Sequence, residues 1–366
     1  MFATLGSRTE FFADSIRANL DYWRDLALAD ELTTVLSEAD WSNVARAITF
    51  GLGRRETRTA AAELAIGLFD VMDRAARWGR WVPVLARAEA ALGGDDALRL
   101  RVLLHLGQCL RGAGHHTAAL TAHERAEQMA LALPDPARQV QVRVDLCEDL
   151  RRLHRYAEAE AIGQRALAGL ETLPANDRVR LALLNSLGLV FTALGRFEDA
   201  EAALREAVGL AKRLDNPLFA ARILQNLAHN HSAAGQFDEA IATYTRVGAL
   251  LETSGAGAFD RANLAASLGT LYFWIKDLDM AEAVFKRADP VALRRAGHWA
   301  LAGLLANNLG NVLQARGRNA EAEAYLREAL TAMRDLRDDL ECGNVLGVLG
   351  EVVAAQGRRA EAEGYW

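Results

Sequence analysis

Apolar residues recur at helical spacing along most of this chain, in pairs of segments that are separated by a glycine. The clearest pair surrounds Gly195. The apolar and small positions on either side of that glycine are three or four residues apart, as on one face of an α-helix: Leu184, Leu187, Gly188 and Phe191 before it, and Phe197, Ala200, Leu204 and Ala207 after it. This pattern predicts two helices that pack through these faces, with the small residues allowing a close approach.

The same pattern returns at intervals of 35 to 41 residues, which predicts a repeat array. The position of the turn between the two helices is marked in each unit by Gly79, Gly114, His154, Gly195, Gly235, Lys276, Gly317 and Gly357. Glycine at this position supplies the positive φ of a helix C-terminal cap. His154 and Lys276 depart from glycine, and we expect them to adopt the same conformation at a modest cost.

The order of residues around Gly195 resembles the tetratricopeptide repeat. An aliphatic residue is followed by Leu-Gly, an aromatic residue, the turn glycine, an alanine and a later apolar residue. The resemblance implies an all-α fold, a right-handed α-α superhelix of about eight repeats over residues 59–366. The last repeat, which turns at Gly357, is cut short at Trp366, so we expect the chain to be a fragment of something longer.

Residues 1–58 do not match the repeat, although they are also predicted to be helical. Apolar residues have helical spacing in two stretches, one with Ile16, Leu20 and Trp23 and one with Leu32, Val35 and Leu36. A turn over residues 37–40 is predicted to separate them from a further helix that ends near Gly51. We expect this segment to be a helical N-terminal cap or linker that covers the apolar face of the first repeat.

Part of the N-terminal region is similar to the linker of STAND-type regulatory ATPases. The likeness covers about residues 10–92 and is carried by Glu38, Asn43, Arg46, Ala47, Ile48, Phe50 and the sequence Trp78-Gly79-Arg80-Trp81. In that class the linker joins a nucleotide-binding switch to a C-terminal tetratricopeptide sensor. The resemblance implies that this chain is such a sensor, from a bacterial signalling or transcription regulator.

Composition and motifs exclude several other functions. The net charge is −6 with both signs interspersed, so no basic stripe is available for nucleic acid. No apolar run reaches the ~18 residues of a membrane span, and the first residues lack the basic start and apolar core expected of a signal peptide. The three cysteines, Cys109, Cys147 and Cys342, are far apart, as expected for isolated thiols in a reducing cytoplasm. Phosphate-binding loops, zinc motifs and nucleophile elbows are absent. We therefore predict a cytoplasmic protein that is not an enzyme and has no catalytic, cofactor or metal residues.

The inner face of the first helices remains as a candidate binding surface. Positions 13, 10, 6 and 3 residues before each turn marker share one side of a helix. The predicted groove residues are drawn from this face, with Trp274 added as the aromatic neighbour of Phe273: Asn185, Arg222, Gln225, His229, Asn263, Thr270, Phe273, Trp274, Asn307, Asn311 and Gln314. Amides both donate to and accept from a peptide backbone, and arginine binds carboxylates. The alternative is that these side chains are polar because they face water.

The sequence thus predicts a module that binds a protein or peptide in its concave groove. As a sensor, it would shift its parent protein between resting and assembled states when the ligand binds. One alternative is a free-standing scaffold that holds two protein partners together. Another is an array that positions an attached enzyme such as a caspase-like protease, which no residue of this sequence favours.

Overall fold

The computed structural model describes residues 5–28, 37–74, 77–94, 96–295, 298–336 and 339–366. Over these ranges the regular structure is entirely α-helical and contains no strand, which confirms the all-α prediction. The predicted helical stretch with Leu32, Val35 and Leu36 lies outside the described residues. The helices are α1 (Leu5–Leu28), α2 (Glu38–Leu52), α3 (Arg58–Gly67), α4 (Phe69–Arg74), α5 (Trp78–Ala91), α6 (Asp96–Gly112), α7 (His116–Ala132), α8 (Pro136–Arg152), α9 (Tyr156–Leu170), α10 (Asp177–Ala193), α11 (Phe197–Arg213), α12 (Pro217–Ala233), α13 (Phe237–Thr253), α14 (Ala258–Trp274), α15 (Leu278–Arg287), α16 (Pro290–Arg295), α17 (Trp299–Ala315), α18 (Asn319–Leu336), α19 (Asp339–Ala355) and α20 (Arg359–Ala362).

The chain forms two compact units, Met1–Val190 and Phe191–Trp366. In the first unit, α6 pairs with α7 and α8 with α9, and these pairs also contact each other. In the second unit, α12 pairs with α13, α14 with α15, α17 with α18 and α19 with α20. These are the helical hairpins that the sequence predicts. The predicted division at residue 58 between a cap and a repeat array stays a prediction.

The N-terminal helices pack around two tryptophans. Helices α2, α3 and α5 contact one another, and α1 lies against α2 and α3. Trp41 and Trp81 meet edge to face with ring centroids 5.6 Å apart, and the Trp81 indole donates to the Ala65 carbonyl at 3.0 Å. The predicted turn over residues 37–40 is wrong. Ser37 caps α2 instead, because its hydroxyl accepts the Asp40 amide at 3.2 Å and Asp40 bonds back to the Ser37 amide.

The turns between paired helices have the predicted backbone conformation at seven of eight markers. Positive φ values occur at Gly114, His154, Gly195, Gly235, Lys276, Gly317 and Gly357. His154 and Lys276, with φ of 58° and 68°, take the same conformation as the glycines. Gly79 was wrongly predicted, because it lies in the first turn of α5.

In several hairpins, the paired helices approach closely at a glycine of the first helix, opposite a large side chain 16 residues later. A Cβ atom added to Gly269 would lie 2.5 Å from the Phe285 ring, and one added to Gly310 would lie 2.7 Å from Leu326 Cγ. Gly107 faces the His123 ring at the same spacing. These contacts fill the space between the two helices so completely that no methyl group fits.

A network of buried charges links neighbouring repeats in the first unit. Arg111 on α6 donates to Asp145 Oδ1 at 2.7 Å and to Asp149 Oδ1 at 2.8 Å, both on α8. Asp149 also bonds Nδ1 of His123, and the other ring nitrogen of His123 lies 3.1 Å from the Leu104 carbonyl. The side chains of His123 and Asp149 are fully buried. Removal of one side chain would leave a buried ion without its partner and would strongly destabilise this unit.

Glu148 on α8 forms a second, partly buried cluster. It accepts hydrogen bonds from Arg151 at 2.7 and 2.8 Å, from Arg152 at 2.7 Å and from the Ser186 hydroxyl at 3.0 Å. Burial raises the pKa of Glu148, but the hydrogen bonds and charge of Arg151, with the charges of Arg152 and Arg111, outweigh it and lower the pKa to about 2. The carboxylate is therefore ionised whenever this unit is folded near neutral pH.

The close helix approach at Gly310 predicts a large effect of a single methyl group. Gly310→Ala should destabilise the protein by about 1–3 kcal/mol, because the added Cβ must displace Leu326. Gly347→Ala is the matched control, since Gly347 lies within α19 with nothing within 4 Å of an added Cβ. It should be neutral or stabilising by up to about 1 kcal/mol. Urea unfolding measures both variants, and equal midpoints would contradict the packing described.

The low pKa of Glu148 predicts a defined loss of stability in acid. An ionised Glu148 stabilises the fold above its ordinary pKa of 4.5, and this contribution, about 3 kcal/mol, is lost as the pH falls towards 2. Glu148→Gln should therefore be less stable than wild type at pH 7 and should lose less stability between pH 5 and pH 2.5. Glu124→Gln, at an exposed position of α7, should follow the wild-type curve. Denaturant titrations across this range would contradict the assignment if the Glu148→Gln and wild-type curves ran parallel.

Candidate functional site

The second unit contains a cleft of about 800 Å³ along the first helices of three repeats, α12, α14 and α17. Because the helix faces that pack into the hairpins are apolar, the side chains that face the cleft are free to be polar. Its lining residues are Arg222, Gln225, Asn226, His229, Ser232, Tyr244, Phe259, Asp260, Asn263, Ala266, Ser267, Thr270, Leu271, Trp274, Leu304 and Asn308.

Side-chain amides form the middle of the cleft. Gln225 on α12 and Asn263 on α14 have no side-chain hydrogen-bond partner among the described residues, while Asn308 on α17 donates a long bond of 3.4 Å to the Thr270 hydroxyl. Thr270 in turn donates to the Ala266 carbonyl at 2.8 Å. Gln225 and Asn263 can therefore each offer a donor and an acceptor to a ligand without breaking an existing contact.

One end of the cleft carries a charged pair. The Nε and Nη2 atoms of Arg222 lie 3.1 and 3.0 Å from the same oxygen of Asp260. The side chain of Arg222 is 52% exposed, whereas that of Asp260 is 10% exposed. Asp260 therefore holds one edge of the guanidinium, and the rest of Arg222 faces the cleft. This arrangement presents a positively charged donor, which suits a carboxylate.

Large apolar side chains also line the cleft and are exposed. Trp274 at the end of α14 is 59% exposed, Phe259 near its start 42%, and Leu304 on α17 39%. The Phe259 ring rests against His298 with centroids 5.1 Å apart. Exposed aromatic residues beside polar groups are typical of binding surfaces.

The titratable side chains His229 and Tyr244 favour binding over acid–base chemistry. Partial burial in the cleft lowers the pKa of His229, so the neutral ring offers one donor and one acceptor near pH 7. Burial raises the pKa of Tyr244 to about 12, although its hydrogen bond with Ser267 opposes that change. At neutral pH the net charge of the lining is therefore that of the Arg222–Asp260 pair.

Six of the eleven predicted groove residues line this cleft, and five lie elsewhere. The six are Arg222, Gln225, His229, Asn263, Thr270 and Trp274. Phe273 packs against the core of the second unit, with the Lys276 ammonium 5.4 Å from its ring centroid. Gln314 donates to Glu351 at 2.9 Å. Asn185 belongs to the first unit.

The remaining two predicted residues, Asn307 and Asn311, lie on α17 next to the cleft. Both are half-buried. The Oδ1 atom of Asn307 is buried and, among the described residues, has no hydrogen-bond partner. Their neighbour Asn308 lines the cleft in their place.

Three of the lining residues that the sequence did not single out share one offset. Asn226, Ser267 and Asn308 each lie nine residues before a turn marker, one position from the predicted stripe. Phe259 and Asp260 lie one helical turn before Asn263 on α14. At 100° per residue, this position lies roughly 40° beyond the edge of the predicted stripe, so the lining is wider on that side than predicted. Extending the stripe by one turn towards the N-terminus would have included Phe259 and Asp260.

The three cysteines are free thiols. Burial raises the pKa of Cys109 and of Cys147 to about 12, so neither is a thiolate near neutral pH. Across the described ranges, no three histidine, cysteine or acidic side chains are grouped closely enough to hold a metal ion. No helix in the described part of the chain combines the length and hydrophobicity needed to cross a bilayer.

Comparison with known proteins identifies relatives of the region that contains the cleft. A family model described as the MalT-like TPR region matches residues 151–361, which is more than half of the chain and includes α12, α14 and α17. The regulatory protein AfsR of Streptomyces griseus is 28% identical over 281 residues, covering 69% of this chain and 28% of AfsR. The chain thus spans less than a third of the length of this relative.

Two solved structures have a similar fold over nearly the whole chain. A Rap protein in complex with Competence and Sporulation Factor has a TM-score of 0.60 at 15% identity, covering 95% of this chain and 99% of that one. A STAND protein with a tetratricopeptide repeat sensor from Pyrococcus horikoshii has a TM-score of 0.61 at 12% identity, covering 91% of this chain and 52% of that one. At these identities the similarity concerns the fold.

Proposed function

We propose that this chain, which belongs to the MalT-like TPR region family, is a sensor module that binds an extended peptide or protein segment. The ligand lies in the cleft along α12, α14 and α17. In its parent protein, ligand binding changes the activity of a regulator, and this chain itself performs no chemical reaction.

The observation that carries this proposal is the combination of three features in one cleft. The amides of Gln225 and Asn263 have no side-chain hydrogen-bond partner among the described residues, Arg222 presents a charged edge, and Trp274 is exposed. An extended peptide needs hydrogen bonds to its backbone, which the amides can make. It also needs one or two of its side chains to be bound, which Arg222 and Trp274 can do. A surface that is polar only for solubility does not require an exposed tryptophan among free amides.

The finer proposal is that the parent protein is a STAND-type signalling or transcription regulator of a bacterium, located in the cytoplasm. It is supported by the AfsR relative, which is a regulatory protein, and by the fold shared with a STAND protein that has a tetratricopeptide repeat sensor. Ligand binding would act by favouring one of two states of the regulator, to an extent set by the difference in affinity for those states.

The test is binding of a pool of terminally blocked random dodecapeptides to the immobilised full chain. We expect a retained set of peptides, and at least tenfold weaker binding of that set, about 1.4 kcal/mol, to the double variant Gln225→Ala with Asn263→Ala. The melting temperature should not change, since neither side chain has a hydrogen-bond partner in the described structure.

A matched double variant controls for the loss of surface amides. Gln128→Ala with Gln164→Ala removes two exposed amides from the second helices α7 and α9 and should leave binding unchanged. Retention of no peptide by the wild-type chain, or equal weakening by both double variants, would contradict the proposed function.

A further inference from the structure

The cleft has two chemically different ends, and α14 fixes the distance between them. Phe259 and Asp260 lie in the first turn of α14, and Trp274 is its last residue. With 14 residues from Asp260 to Trp274 and a rise of 1.5 Å per residue, the ends are about 21 Å apart along the helix axis. Both ends line the same cavity, so one ligand can reach both.

The charged end favours an acidic group over a basic one. Asp260 is nearly buried, and one of its oxygens already accepts two hydrogen bonds from Arg222. Arg222 is half-exposed, and its Nη1 atom has no partner among the described residues. A ligand therefore meets the guanidinium before the carboxylate. A planar guanidinium held along one edge can still bind a carboxylate along another.

The other end favours an aromatic or large aliphatic group. Trp274 is the most exposed large apolar residue of the lining, and its indole has no hydrogen-bond partner among the described residues. Among the residues that line the cleft, neutral His229 is the titratable one nearest in helix position to this end, so the lining itself presents no cation there at neutral pH. The middle of the cleft holds the amides of Gln225 and Asn263, which suit a peptide backbone.

We propose that the ligand is an extended acidic–aromatic peptide segment, whose carboxylate pairs with Arg222 and whose aromatic side chain packs on Trp274, about six residues apart. The spacing follows from 21 Å at about 3.3 Å per extended residue. This inference rests on the proposed function and adds to it the two anchor chemistries and their separation. Either chain direction satisfies the geometry, since both place the two anchors at the two ends.

The probes are fluorescent, terminally blocked dodecapeptides of serine, alanine and asparagine that carry one glutamate and one phenylalanine. The two residues are separated by two to nine positions in both orders, and anisotropy reports binding to the full chain. Affinity should be highest at separations of five to seven positions, and at least tenfold higher there than at two positions.

Coupling between variants and probes assigns each anchor. The variants Arg222→Gln and Trp274→Ala are each tested with the best probe and with its Glu→Gln and Phe→Ala forms. Arg222→Gln should lower affinity about tenfold for the best probe but have little further effect on its Glu→Gln form. Trp274→Ala should likewise lower affinity for the best probe but have little further effect on its Phe→Ala form. Crossed pairs should be additive, as expected for separate contacts.

Two controls test whether the variants remain folded. Trp274 is mostly exposed, so Trp274→Ala should melt as wild type does. Arg222→Lys keeps a charge beside Asp260 but loses the planar edge, and it should weaken the acidic probe at an unchanged melting temperature. If peptides bind without a spacing optimum, or if the couplings are absent or crossed, this inference is overturned while the proposed function stands. If no probe and no random peptide binds the folded chain, both are overturned.

Discussion

The close approach of paired helices at a small residue is the constraint on which the rest of the structure depends. A side chain 16 residues later in the second helix fills the space above the glycine, as Phe285 does at Gly269 and Leu326 at Gly310. The contact uses one face of the first helix and removes it from the solvent. Because each first helix is committed on this face, its opposite face can carry side chains chosen for binding. The cleft therefore depends on the packing behind it.

The two units use that opposite face differently. In the first unit, Gln108 and Arg111 donate hydrogen bonds to Asp145, and Arg151 donates to Glu148. These polar side chains are therefore occupied by contacts within the protein. In the second unit, Gln225 and Asn263 lie on the corresponding side of the first helices α12 and α14 and have no side-chain hydrogen-bond partner among the described residues. The same repeat geometry thus stabilises neighbouring repeats in one unit and leaves groups available for a ligand in the other.

The repeat hairpins were predictable from the sequence because their signals are local. A residue with positive φ ends each first helix, and even His154 and Lys276 were found by the repeat interval alone. Gly79 shows the limit of this argument: it has the right spacing but lies within α5, where the chain departs from the repeat. A glycine marks a turn only where the flanking helices stop.

The cleft was only partly predictable because its stripe depends on how each helix is rotated against its neighbours. The lining extends roughly 40° beyond the predicted stripe, so Asn308 lines the cleft in place of Asn307. Of the two predicted aromatic neighbours, Trp274 lines the cleft and Phe273 packs against the core. Periodicity alone identifies a polar face but does not set this rotation. The charged pair of Arg222 and Asp260 joins two repeats, and a single repeat's pattern does not reveal it.

The most direct test of the central claim is the response of individual side-chain amides to a peptide. Nitrogen-15 spectra of the full chain, labelled at asparagine and glutamine, would be recorded during titration with the pool of blocked dodecapeptides. The account predicts shifts of the side-chain signals of Gln225 and Asn263, assigned by substitution, with those of Gln128 and Gln356 unchanged. Unmoved cleft signals, or larger shifts at Gln128, would contradict it.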